Sequence, residues 1–375
     1  MSRLSPKRIL IFIPWFKPAY RAGGPIRSID TLISNYNSDV TYFIVCGNKD
    51  IDGTVNSVVS FDSWINLSSN TKVWYHSGNF ISLPLNDIVE KANPTHVMLV
   101  GMFSWTYNLY PLLRLRKFKL IWSVKGMLHP QALSQKRFKK RLLLKSLRLV
   151  TFFKNVTFHA TNEVESQYIK NAIVEIVRVR TALNIPHHYH CANPMEKKTG
   201  CIRLLSISLI SPMKNHKLVL QSLMQCRDEV KYDIVGAVKD KSYWKECSGL
   251  IDKLPKNVTV NYHGEQTPEN LEPYLTNTHL LVMPSKSENY GHAIVEALSM
   301  GRPVLTSLHT PWNNLQINHA GINANTEVHE IAEAIDFFLK MNQEEYNIYC
   351  KGARQYFEKF LNVEQILDQY DQLFD

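Results

Sequence analysis

Two glutamates, Glu288 and Glu296, stand with seven residues between them in the run Pro284-Ser-Lys-Ser-Glu-Asn-Tyr-Gly-His-Ala-Ile-Val-Glu-Ala-Leu-Ser-Met-Gly-Arg-Pro-Val304. A carboxylate accepts hydrogen bonds from sugar hydroxyls. Two of them about two helical turns apart can address groups on the order of 10 Å from one another, such as a hexose and a ribose. Between them lies Gly291, flanked by Asn289, Tyr290 and His292, at the place where a helix would begin. The N–H groups at a helix start have no internal acceptor and suit an anion such as a diphosphate. A nucleotide-linked sugar carries every group this set could bind.

The surrounding sequence reads as the frame such a set needs. His279 to Met283 is a short apolar run that reads as a buried strand, with Pro284 as its stop. Ala293 to Met300 has helical composition and ends at Gly301 and Pro303, and Pro303 to Ser307 begins another buried strand. Glu288 then falls in a loop and Glu296 inside the helix. Earlier in the chain, Ile9–Pro14, Tyr42–Cys46, Lys72–Tyr75, His96–Val100, Leu120–Val124 and Val156–Ala160 read as strands separated by helical segments such as Arg27 to Tyr36. That alternation predicts a doubly wound α/β sheet, in which ligands bind at the strand-to-helix loops. Gly23-Gly24-Pro25 lies in the first of those loops, where glycine lets the backbone approach a substrate closely. Gly-Gly-Pro is also a common turn.

At 375 residues the chain is long enough for two domains. The stretch Asn184 to Gly200, with two prolines and little periodicity, is the best boundary. We therefore expect a first domain over 1–184, a linker over 185–200, a second domain over 201–355 and a closing helix over 356–375. In the second, Ile202 to Ile210 restarts the alternation, Tyr232 to Val238 carries Gly236 at its end, and Val258 to Gly264 leads into a loop at Glu265 to Pro268. Glu327–Lys340, Tyr349–Leu361 and Glu364–Phe374 read as helices.

The long pattern around Glu288 closely resembles the signature of retaining, family-4 type glycosyltransferases, group 1, of the bacterial polysaccharide and O-antigen type. The resemblance is specific from about Ser206 to Gly321 and diffuse elsewhere. It implies the GT-B fold, two facing Rossmann-like domains with a cleft between them, and transfer of a hexose from a nucleoside diphosphate sugar to an acceptor hydroxyl with retention. The donor would sit mostly on the second domain and the acceptor on the first, with the last helix crossing back onto the first domain. By resemblance Glu288 orients the sugar, Glu296 the ribose, and Gly23, Gly24, Gly236, Asn289, Tyr290, Gly291 and His292 contact the donor. Lys214, in Ser211-Pro-Met-Lys-Asn-His216, matches the family's phosphate-binding lysine, whereas the partner arginine's place is taken by Leu209. Arg21 or Lys125 are candidates to compensate. Thr310-Pro311-Trp312 looks like a helix start and matches a subgroup with Thr-Pro-Trp there, its indole either lining the sugar site or packing in the core.

Lys125-Gly126-Met127-Leu128-His129 follows a strand, where many relatives place a histidine near the reacting carbon. Lys125 reads either as a cation for the departing phosphate or as a solvated lysine, and His129 as a weaker acceptor-side candidate. Asp50-Ile-Asp52-Gly reads as a turn rather than a metal site, and His187-His-Tyr-His-Cys191 as linker. No metal and no cofactor are expected, the nucleotide sugar being the substrate. Six scattered cysteines without a Cys-x-x-Cys pair read as reduced and structural.

Hydrophobic content of 45% with 20% charge marks a globular chain. No apolar run approaches the ~20 residues that cross a bilayer. Ile9 to Phe16 superficially looks like an export signal, but Pro14 and Lys17 interrupt it, and a cytoplasmic protein is expected. Net charge is +10, and Lys91 through Asn162 holds 14 Lys and Arg with no Asp or Glu. At the centre of that region, Gln135 to Phe153 reads as a helix with Arg137, Lys140, Arg141, Lys145 and Arg148 on one arc and Phe138, Leu142, Leu143 and Leu147 on the other. This basic 114–154 region is either a solvated helix face or a contact with the anionic inner face of the cytoplasmic membrane and a lipid-linked saccharide acceptor. Nucleic acid is not expected, for want of a binding module with interleaved aromatics. A nucleotide-sugar epimerase and a non-catalytic two-domain sugar-binding protein are the other readings, separable by product analysis without acceptor and by turnover.

Overall fold

The structure is a computed structural model that describes residues 6–375 apart from 20, 22, 58, 135, 136, 149–154, 174–176, 188 and 190–192. The chain divides into two units, one of Met1–Ile185 with Val363–Asp375 and one of Pro186–Asn362. Each is built around a largely parallel sheet whose central strands are buried, mostly apolar runs, as helix-covered parallel strands must be.

In the first unit the elements run β1 (Arg8–Phe12), α1 (Gly24–Asn35), β2 (Thr41–Gly47), β3 (Trp64–Asn66), β4 (Thr71–His76), α2 (Leu85–Ala92), β5 (His96–Val100), a π-helical turn (Trp105–Leu109), α3 (Tyr110–Arg114), β6 (Lys119–Ser123), α4 (Pro130–Ser134), α5 (Arg137–Arg148), β7 (Val156–Ala160), α6 (Glu163–Ala172) and β8 (Arg178–Thr181). The sheet order is β3-β4-β2-β1-β5-β6-β7-β8, with only β3 antiparallel. The strand order reverses direction between β1 and β5, and the loops carrying Gly23 and Gly101 leave from there. Leu10, Phe12, Val97, Leu99, Leu120 and Trp122 form the centre of the core.

In the second unit come β9 (Cys201–Ile207), α7 (His216–Ser222), β10 (Glu229–Val235), α8 (Lys241–Ile251), β11 (Val258–Tyr262), α9 (Glu272–Thr276), β12 (Leu280–Met283), α10 (His292–Ser299), β13 (Val304–Ser307), β14 (Gly321–Ala324), α11 (Val328–Lys340) and α12 (Gln343–Phe360). The order β11-β10-β9-β12-β13-β14 is all parallel and reverses between β9 and β12. The last helix, α13 (Val363–Leu373), packs within the first unit: Tyr36 Oη donates to Asp371 at 2.7 Å, and the Tyr36, Tyr370 and Phe374 rings meet at 5.5 to 6.1 Å.

Several expectations need correction. β3, β8 and β14 were not foreseen, because all three are short edge strands without a continuous buried apolar run. The 349–361 helix begins earlier, at Gln343, where Asn342 and Glu345 form a capping box. Thr310 to Trp312 starts no helix: the Thr310 hydroxyl donates to Ser307 O and Trp312 O, both at 3.4 Å, and closes a turn. Of the 135–153 helix, 137–148 is helical, and 135, 136 and 149–153 lie outside the described residues. It is also rotated from the expected register. Lys140 faces inward, its Nζ donating to Ala132 O at 2.6 Å and lying 5.0 Å from the centre of the Phe103 ring. Leu144 and Leu147 are buried, while Phe138 and Leu142 are exposed.

Candidate functional site

Where a doubly wound sheet reverses, the loops leaving the two central strands diverge and open a crevice at their carboxyl ends. In the second unit those are the loops after β9 and β12. Asn215 adopts a left-handed conformation at φ 62°, which turns the first loop into α7, and its Nδ2 donates to Pro284 O at 3.2 Å. Lys286 N donates to Met213 O at 2.9 Å. These two bonds lay the loops side by side and bring Lys214 onto Glu288, 74 residues away in sequence, as a direct ion pair. The Ser285 hydroxyl donates to the same Glu288 oxygen at 2.8 Å, and Glu288 N donates to His309 O at 3.0 Å. The Glu288 side chain is 9% exposed and that of Lys214 is 22% exposed, so a ligand can reach the pair from one side. Behind it His216 is buried, with Nε2 3.2 Å from Ser208 Oγ. Burial, then the neighbouring Lys214, push its pKa down to about 3. The imidazole stays neutral there and adds no charge to the site.

Three residues beyond Glu288, Gly291 takes a left-handed conformation at φ 78° and caps α10. A Cβ there would strain that φ and lie 3.0 Å from Ile294 Cδ1, which is why glycine stands at the turn. α10 is buried along its length, and Glu296 within it is 1% exposed. The preceding loop is held from outside. Trp312 is buried, its indole N–H donates to Tyr290 O, and its ring lies 5.5 Å from that of Tyr290, which also meets the His292 ring at 4.8 Å. Trp312 therefore shapes the 289–291 turn from the core side. At the next strand end Gly236 sits at φ 147°, where a Cβ would come within 1.9 Å of Ser208 O. Only glycine allows the β9 and β10 exits to lie that close. Leu209, on the β9 exit, is half-buried and offers no cation.

The first unit repeats the layout in simpler form. Gly23, at φ 75°, caps the 12-residue α1, with Gly24 and Pro25 in its first turn. Arg21, beside it, is turned the other way: its guanidinium pairs with Asp52, and its N–H donates to Asp50 Oδ2 at 3.4 Å. Asp50 to Gly53 forms the turn that receives it, closed by Gly53 N to Asp50 O at 3.0 Å. Lys125 is half-buried rather than solvated. Its Nζ donates to Asn184 Oδ1 at 2.7 Å, and burial lowers its pKa to about 8 against the opposing pull of Glu165. Glu165 also accepts from Gly126 N and, at 2.7 Å each, from the N–H and hydroxyl of Thr161, so it moulds the whole 125–126 turn. His129 meets the Tyr168 ring edge-on at 5.2 Å. His188, His190 and Cys191 lie outside the described residues.

Of the residues singled out from sequence, Lys214, Glu288, Tyr290, Gly291, His292 and Trp312 thus gather at the β9/β12 reversal, with Gly236 one strand over. Gly23, Gly24, Lys125 and His129 occupy strand exits of the first unit. Ser285, Glu165 and Asn184 were missed. Only their contacts, made across 3 to 59 residues, distinguish them from ordinary loop and cap residues.

Residues 193–356 match the family described as Glycosyl transferases group 1. Sucrose-phosphate synthase from Thermosynechococcus elongatus superposes with a TM-score of 0.75 at 16% identity, covering 98% of each chain. Anabaena HepE in complex with UDP-glucose gives 0.69 at 15%, over 97% of this chain and 98% of that one. WaaG, a glycosyltransferase involved in lipopolysaccharide biosynthesis, gives 0.64 at 12%, over 98% and 99%. No curated protein matches the sequence. The two Rossmann-like units are those of the GT-B fold, and the match to Glycosyl transferases group 1 falls within the second.

Proposed function

Starting from that match, we propose that the protein is a retaining glycosyltransferase that moves a hexose from a nucleoside diphosphate sugar to an acceptor hydroxyl. The observation that carries this is the meeting of Lys214 and Glu288 at the β9/β12 reversal, three residues before the Gly291 helix cap. HepE, of the same fold, is described in complex with UDP-glucose.

In this reading the bond between the anomeric carbon and the diphosphate oxygen breaks while the acceptor oxygen bonds to the same face. The acceptor's proton passes to the departing phosphate oxygen. Lys214 and the first amides of α10 stabilise the charge that grows on the diphosphate, a preorganised electrostatic effect. Glu288 holds Lys214 before the donor arrives and then accepts hydrogen bonds from the sugar. The ribose role of Glu296 rests on the family pattern and requires a shift of α10, since Glu296 is 1% exposed. Trp312 acts through the Tyr290 turn, and Lys125 supplies a further cation on the first unit. No step requires a metal. The acceptor is a lipid-linked saccharide of the kind used in surface polysaccharide or O-antigen assembly, met at an anionic membrane surface by the basic region of the first unit.

The test is incubation with uridine- and guanosine-linked sugars and with lipid-linked saccharides, followed by mass spectrometry and by NMR of the anomeric linkage. Sugar phosphates belong in the acceptor panel, because sucrose-phosphate synthase shares the fold. A glycosylated product with retained configuration is expected. An isomerised nucleotide sugar formed without acceptor would indicate an epimerase instead. Binding without turnover across the panel would leave a sugar-binding protein.

A further inference from the structure

The exposed side of α5 combines two features that rarely share a water-facing surface. Its Phe138 is 81% exposed and its Leu142 61% exposed. Single exposed apolar residues are common, but these two are four apart on one helix and so lie on the same stripe. At about 100° per residue, Arg141 and Lys145 fall on one side of that stripe and Lys139 on the other. All three are exposed. The opposite arc holds Leu144 and Leu147, buried in the core, with Lys140 tied down against Ala132 O and the Phe103 ring. The inward face is already occupied, so Phe138 and Leu142 cannot be buried by a rotation of α5 that keeps Leu144 and Leu147 inside.

The sequence from Lys91 through Asn162, which includes α5, contains no Asp or Glu. An exposed apolar ridge edged by cations fits an interface that is anionic at its surface and hydrocarbon beneath. A protein partner would be expected to meet such a ridge with acidic rims, and a nucleic acid would engage the cations but leave Phe138 and Leu142 idle. Among the described residues no helix is long and apolar enough to cross a membrane, so the contact would be a peripheral one.

We infer that α5 is a membrane wedge: Phe138 and Leu142 enter the headgroup boundary of an anionic bilayer while Lys139, Arg141 and Lys145 contact lipid phosphates. This deepens, and rests on, the membrane-surface part of the reading above. It adds insertion to attraction and assigns each to different side chains.

Flotation of the full chain with vesicles of phosphatidylcholine plus phosphatidylglycerol, and with phosphatidylcholine alone, separates the two contributions. The wild type should float only with the anionic vesicles. The pair Phe138→Ser and Leu142→Ser removes side chains that the core does not use, so its thermal unfolding should match the wild type while its partitioning falls about tenfold or more. Lys139→Gln with Arg141→Gln and Lys145→Gln should abolish the salt-sensitive part of binding. In Phe138→Trp, indole emission should shift to the blue on mixing with anionic vesicles. Unchanged partitioning of the serine pair, or no blue shift, would overturn the wedge. Binding of duplex DNA with no vesicle binding would reassign the face to nucleic acid. If the wild type turned over nucleotide sugars yet failed to float, the wedge would fall and the transferase reading would stand.

Discussion

The ion pair between Lys214 and Glu288 allows stability and catalysis to be tested separately on the same two residues. Two opposite unit charges about 4 Å apart near a protein surface attract by roughly 4 kcal/mol, most of which is offset by the water each has lost. With side-chain exposures of 22% and 9% the pair is neither buried nor fully solvated. Removing one member therefore should destabilise the second unit by about 1–2 kcal/mol, an effect of roughly 2–4 °C per kcal/mol in melting temperature. Glu288→Gln keeps the acceptor for the Ser285 hydroxyl and loses only the charge, while Lys214→Met keeps the stem and loses the ammonium. Combined, the two should cost less than the sum of the single changes, because the second removes a partner already missing. Transfer behaves differently. Each contact made to the departing diphosphate or the sugar should contribute about a hundredfold in kcat/KM, equivalent to about 2.7 kcal/mol. Measuring melting in a double-mutant cycle and turnover on the same four proteins separates the roles. Wild-type turnover in both single variants, with unchanged nucleotide affinity by calorimetry, would show that the pair is structural and would sink the assignment of the site.

Other substitutions probe the frame. Gly236→Ala places a Cβ within 1.9 Å of Ser208 O, a backbone atom that cannot yield, and should lower the melting temperature of the second unit severely or abolish its expression. Trp312→Phe removes the donor to Tyr290 O and should raise the donor KM more than it lowers kcat, with a stability loss of about 1–3 kcal/mol; equal donor KM would deny it a positioning role. Leu209→Arg restores the cation expected on the β9 exit and should tighten diphosphate binding by about tenfold in calorimetry, while weaker binding would contradict the proposed orientation of the donor. Acid should unfold the chain early. Burial lowers His159 and His216 to about 3 and His96 and His279 to about 4. Above about pH 6.5 these groups are neutral in both states and cost nothing. Below it the unfolded chain takes up protons that the native one refuses, so stability falls, by up to about 1.4 kcal/mol per pH unit for each, until the native values are reached. Replacing His216 by Asn should flatten the denaturation profile between pH 6 and 4, and an unchanged slope would show that His216 does not contribute.

How far the fold was legible follows from which residues are buried. Strands such as His96–Val100 and Val156–Ala160 are almost wholly buried and rich in apolar residues, and their bounds in the structure are those read from the sequence. The edge strand Arg178–Thr181 has alternating exposed and half-buried positions, with two arginines, and only pairing with β7 reveals it. The facing of α5 was misread for a related reason. Periodicity sorts polar from apolar positions, but it cannot say that a lysine will lie across a phenylalanine ring while a phenylalanine faces water. At the site, Glu288 and Gly291 were visible through local pattern. The partnership of Glu288 with Lys214 was not, because it depends on two loops stitched by Asn215 Nδ2 and Lys286 N.

That stitching also bears on what the chain has given up. With Leu209 on the β9 exit and His216 neutral behind it, Lys214 supplies the ammonium of this loop, and in the resting structure its charge is answered by Glu288. In the proposed function, a diphosphate arriving at the Gly291 cap would have to draw Lys214 away from the carboxylate or share it. Either course weakens ground-state binding by part of the pair's own attraction. The same competition eases as negative charge builds on the leaving group, because the ammonium then gains more from the phosphate than it loses from Glu288. An interaction that strengthens along the reaction coordinate raises kcat, whereas one already complete in the bound state raises affinity alone. On the proposed reading, a lysine held by a carboxylate, with no arginine at Leu209 beside it, therefore favours turnover over tight binding of the donor.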